Sequence, residues 1–76
     1  MFLLYLAKTA ARYGAAPDMA AVEAAGYRHG VAGTYHQNIV LVTFQDGAPV
    51  CHDACKKQDE ILADAAEWYA ELQAAQ

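Results

Sequence analysis

The sequence predicts a small single-domain α+β protein with N-terminal helical segments, an antiparallel β-hairpin at about 38–45 and 48–52, and a long C-terminal helix at about 53–75 packed on the sheet. Three observations carry this reading. "NIVLVTF" is rich in β-branched residues and apolar on both faces, as a covered strand requires. Asp46-Gly47 follows it, the preferred dipeptide of a two-residue type I′ turn. From Asp53 to the last residue apolar side chains recur at helical spacing, with no glycine or proline among them.

Residues 2–13, "FLLYLAKTAARY", are mostly good helix formers, place Leu3, Leu6, Ala7 and Ala10 at helical spacing, and meet Gly14 where a C′ glycine belongs. Helix is the favoured reading. A strand over 2–7 stays open, since Phe2, Leu4 and Leu6 would line one face and Leu3, Tyr5 and Ala7 the other. "DMAAVEAAG" then has an N-cap aspartate, Asp18, alanine-rich filling and Gly26 as a stop, which describes a short helix. Residues 26–38, with three glycines and no sustained period, read as a loop or a loop ending in an irregular strand.

In the hairpin, Ile39, Leu41 and Thr43 share one face and Val40, Val42 and Phe44 the other, and the turn sets Phe44 opposite Pro49 and Leu41 opposite His52. Pro49 cannot donate to a ladder, so the return strand is an edge, open to a partner strand or a dimer mate. In the last helix Asp53 is the expected N-cap. Cys55, Leu62, Ala65, Tyr69 and Leu72 form the stripe facing the sheet, flanked by Ile61, Ala66 and Trp68.

A chain of 76 residues buries only about 60% of the surface its unfolded form exposes, so the stability margin is small. "MFLLYLAK" has no basic residues ahead of it and Lys8 cuts its apolar run short, which predicts a soluble, cytoplasmic protein without a membrane segment. The net charge of −4 is uneven: residues 37–76 carry Lys56 and Lys57 against seven acids. That balance argues against binding a phosphate backbone and fits docking on a basic protein surface. No cofactor is implied.

"CHDAC" admits several chemistries. A zinc reading uses Cys51, His52 and Cys55, with His29 or His36 arriving from the loop, but three residues between the cysteines is a poor spacing, and adjacent Cys51 and His52 point to opposite sheet faces. A nucleophile reading places Cys55 in the first helical turn, where unpaired N–H groups lower a thiol pKa. Catalysis also needs a base, an oxyanion site and a dry pocket, so no enzyme activity is expected. The plainest reading makes Asp53 a cap and both cysteines small core residues.

Glu60, Asp64, Glu67 and Glu71 follow spacings of four, three and four, on one helix face with no base interleaved. Like charges so spaced cost about a few tenths of a kcal/mol per pair. Lys56 and Lys57 in the first turn and Glu71 near the end are inverted relative to the helix dipole. Such a stripe is either a solvated face or a docking face for a basic groove. Tyr27, His29, Tyr35 and His36 lie among Gly26, Gly30 and Gly33, a composition suited to a binding loop, and join the four acids as candidate partner contacts.

The order of helix, strands, "QDGAPV" hairpin and a helix opening with Lys56-Lys57 resembles a double-stranded RNA-binding domain, although residues 19–25 read as helix where that family has its first strand. In size, acidity and lack of catalytic machinery the chain also resembles small phage-encoded inhibitors of host systems, anti-CRISPR proteins among them, which act by occupying a partner's nucleic-acid-binding surface. The sequence thus predicts a non-enzymatic module binding a protein with a basic surface, possible also as a homodimer. A thiol or zinc site at Cys51, His52 and Cys55, or an RNA-binding-like module, are the alternatives.

Overall fold

Residues 2–6 form a strand, not the helix their propensities favour. In this computed structural model, which describes residues 1–27, 39–53 and 55–75, the first strand β1 (Phe2–Leu6) lies inside the sheet. Both its faces are covered, and Leu3, Leu4 and Tyr5 are all at most 1% exposed. A helix would bury one stripe of this apolar run and leave the rest in water; a central strand buries both parities. The chain then turns through residues 7–10 into β2 (Arg12–Ala16), and Gly14, expected as a helix stop, stands inside that strand.

The short helix α1 (Met19–Ala24) follows its sequence signals. The Asp18 carboxylate accepts from Ala21 N at 2.9 Å, and Gly26 closes the helix at φ 103°. Gly26 N donates to Glu23 O and Tyr27 N to Val22 O, which satisfies two terminal carbonyls. Beyond residue 27, the loop expected over 26–38 lies outside the described residues.

Strands β3 (Ile39–Gln45) and β4 (Ala48–Cys51) form the expected hairpin, with Phe44 opposite Pro49 and His52 N donating to Leu41 O at 3.0 Å. Asp46 and Gly47 both take positive φ, 53° and 81°, as a type I′ turn demands. The antiparallel sheet has the order β2-β1-β3-β4.

The last helix, α2 (Gln58–Ala74), packs on one face of the sheet. Ile61 and Ala65 are fully buried against Leu3, Tyr5, Val40 and Val42, and Trp68 and Leu72 continue that stripe. Burying a side chain such as Ile61 contributes about 1.5–3 kcal/mol. Tyr5 meets Trp68 edge-on at 5.5 Å between centroids, and Phe44 stacks on Tyr69 at 4.1 Å. Leu62 is only half-buried and Ala66 is exposed, so the buried stripe is rotated from its expected setting toward Ile61. On the opposite face Leu4, Leu41 and Ala16 pack with Val22 of α1 and with Tyr27.

The helix begins at Gln58, not at Asp53. Asp53 accepts from Tyr27 Oη at 2.9 Å and from Leu41 N at 3.0 Å, prolonging the edge of β4 instead of capping a helix. Lys57 takes the N-cap position without a side-chain hydrogen bond that caps the helix. Among the described residues no helix is long and apolar enough to cross a membrane.

Candidate functional site

The acidic face of α2 divides into carboxylates that the fold engages and carboxylates that it leaves in water. Asp64 is engaged. It accepts from Tyr5 Oη at 2.7 Å and from Arg12 at 2.8 Å (Nε) and 3.1 Å (Nη2). The same guanidinium reaches Glu71 at 3.0 and 3.3 Å and lies 5.0 Å from the centroid of the Trp68 ring. Arg12 comes from β2, so the base missing from the helix arrives across the sheet.

The electrostatics follow this geometry. Hydrogen bonds from Arg12, then from Tyr5, hold the Asp64 carboxyl below its ordinary value against the opposing effect of burial. Burial, then the hydrogen bond to Asp64, pushes the Tyr5 hydroxyl well above its ordinary value. Arg12 is held still more firmly charged by Asp64 and Glu71. At 36% and 32% side-chain exposure the Arg12–Asp64 pair is partly screened, so its stabilisation is that of a rim contact.

The later helix start also corrects the dipole argument. Lys56 and Lys57 precede the helix, and Asp59 and Glu60 occupy its first turn, where acids are favoured. Only Glu71, near the other end, remains against the dipole, and Arg12 neutralises it. What the fold does not engage is Asp59, Glu60 and Glu67, all exposed, with a single 3.5 Å contact from Lys57 to Glu60 among the described residues. Beside them Ala63, Ala66 and Ala70 are exposed at helical spacing and give this side of α2 a low relief.

Tyr27 is a core residue, not a loop contact. It is 4% exposed, and burial, then its bond to Asp53, pushes its hydroxyl up. His29, Tyr35 and His36 lie outside the described residues.

The Cys51, His52 and Cys55 constellation is not assembled. Cys51 and Cys55 pack against the α2 side of the sheet, whereas His52 is exposed, with Nε2 2.6 Å from Thr43 Oγ1. Among the described residues no three His, Cys, Asp or Glu side chains gather as a metal site. Cys51 Sγ donates to Asp53 O at 3.1 Å, and burial raises its thiol pKa despite that bond. Cys55 precedes the N-cap Lys57 and so falls outside the first helical turn, which removes the helix-start argument for an activated thiol.

Sequence reasoning missed Arg12 and Tyr5. The available signal was the unneutralised stripe itself, which calls for a cation from elsewhere in the chain, and Arg12 is one of only five Lys and Arg residues. The leading helix on which the resemblance to a double-stranded RNA-binding domain rests is a strand hairpin here. No protein-family model, curated protein or solved structure matches the chain.

Proposed function

We propose that this protein is a non-enzymatic binding module that docks on a basic protein surface through the exposed side of α2. The observation that carries this reading is the residue of charge left after the fold's own needs are met: Asp59, Glu60 and Glu67 remain in water around exposed alanines. Arg12 binds Asp64 and Glu71, so the docking face centres on Glu60 and Glu67 instead of all four stripe carboxylates. A basic groove complementary to such a face is what a nucleic-acid-binding protein presents, and occupying it would inhibit that protein. Carboxylates of this kind act mainly on association rate and salt dependence.

The test is a Glu60→Gln/Glu67→Gln variant, whose glutamines keep helix propensity and leave the Arg12 contacts intact. In capture from lysate of the source organism, wild type should retain a nucleic-acid-binding protein that elutes as salt rises and is displaced by nucleic acid. The variant should lose it. The same captured set at the same elution salt for both proteins sinks the proposal.

A further inference from the structure

The two cysteines of the chain reach one place from different elements. Cys51 is the last residue of β4 and pairs with Val42, whereas Cys55 opens the turn into α2, its carbonyl accepting from Gln58 N at 3.4 Å. Both are free thiols, half-buried, and both pack on the α2 side of the sheet against the core cluster that contains Val42 and Ile61.

In a continuous strand, residues four apart would be separated by about 13 Å, far beyond the reach of a disulfide. The chain instead bends at Asp53, between the two cysteines. Cys51 Sγ donates to Asp53 O at 3.1 Å, so its sulfur already lies against the bend, two residues before Cys55. The thiols also sense each other. Burial raises the Cys51 pKa, the bond to Asp53 O lowers it, and the neighbouring Cys55 sulfur raises it again.

We propose that Cys51 and Cys55 form a reversible intramolecular disulfide, a redox staple that ties the end of β4 to the lead into α2, made by exchange with a low-molecular-weight disulfide such as oxidised glutathione. Cys55 loses its proton to solvent, and its thiolate attacks one sulfur of the oxidant, forming a mixed disulfide and releasing one small thiolate. Cys51 then loses its proton, attacks Cys55 Sγ and displaces the second small thiolate. The released thiolates take up the two protons. The cysteine pair thus gives up two electrons and the small disulfide is reduced to two thiols. Burial, which holds Cys51 protonated, makes it the second thiol to react. The staple acts ahead of α2, and so it steadies the helix that carries Glu60 and Glu67 without involving either carboxylate.

The test equilibrates the whole chain, without air, over a series of reduced-to-oxidised glutathione ratios, quenches with an alkylating agent and weighs the intact protein. Wild type should pass from two alkylated thiols to a species two hydrogens lighter than the reduced chain, with no glutathione attached. Cys51→Ser and Cys55→Ser, each with one thiol left, should stop at the mixed disulfide. The same series in urea gives the closing constant of the unfolded chain, and the folded constant should exceed it roughly tenfold or more, because the fold gathers the thiols. Tenfold is about 1.4 kcal/mol, and by linkage it must reappear as a higher urea midpoint for the oxidised protein. Glutathione retained on both cysteines of wild type, cross-links formed only between chains, or a closing constant no greater in the folded than in the unfolded chain overturns the proposal.

Discussion

Arg12 and Asp64, 52 residues apart in the chain, face each other as fork and carboxylate across the boundary between β2 and α2. Through this pair, and through the same guanidinium's contact with Glu71, the first hairpin and the last helix are joined electrostatically, and Tyr5 Oη donates to Asp64 from the sheet below. A pH dependence follows. The folded pKa of Asp64 is depressed, so its contribution is fully present above the unfolded value, about 3.9, and is lost as pH falls through the lower folded value. Asp64→Asn should cost about 1 kcal/mol at neutral pH, a modest figure because the side chain is 32% exposed. The gap between variant and wild type in urea midpoint should close in acid. A gap that persists unchanged below the folded pKa contradicts the assignment.

Tyrosine hydroxyls give the opposite limb. Tyr5 and Tyr27 both have pKa values raised by burial and by donation to a carboxylate, Asp64 and Asp53 respectively. Their contribution is complete below the unfolded value, about 10, and is lost as pH rises from there toward the folded values. Tyr5→Phe should cost about 0.5–1.5 kcal/mol at neutral pH and remove its share of the alkaline loss. If a Tyr5→Phe/Tyr27→Phe protein unfolds along the same alkaline curve as wild type, these hydroxyls are not the groups that titrate.

Local chemistry was legible in the sequence and long-range competition was not. Asp46-Gly47 and the cap pair Asp18 and Gly26 act within a few residues, and each appears where its pattern placed it. By contrast, "FLLYL" is apolar at both parities, and only the presence of β2 and β3 on either side makes it a strand. Asp53 has the form of an N-cap, but Leu41 N–H and Tyr27 Oη compete for its carboxylate from 12 and 26 residues away. The acidic stripe was visible as a stripe. Its division into engaged and available halves depends on Arg12, whose position no helical period encodes.

Burial on α2 separates two adjacent residues. Ile61 is fully buried among Leu3, Tyr5, Val40 and Val42, while Leu62, expected in the buried stripe, is half-exposed. Ile61→Ala should cost about 2–5 kcal/mol, a large part of the roughly 5–15 kcal/mol total of a natural domain. Leu62→Ala should cost less than half as much. Urea denaturation of the two variants checks the rotation of the helix, and equal costs would place the stripe where the sequence alone put it.

The start of α2 gives a test in which two substitutions have opposite signs. Serine is among the best N-cap residues, so Asp53→Ser would be nearly neutral if Asp53 capped the helix. In the structure Asp53 instead accepts from Leu41 N and Tyr27 Oη, and serine, shorter and neutral, cannot serve both. The expected cost is about 1–3 kcal/mol. Lys57, at the N-cap, makes no side-chain cap bond, so Lys57→Ser should stabilise by about 0.5–1 kcal/mol despite losing an exposed 3.5 Å contact with Glu60. Thermal melts of the two variants decide the matter: a harmless Asp53→Ser together with a destabilising Lys57→Ser would move the helix start back to residue 53.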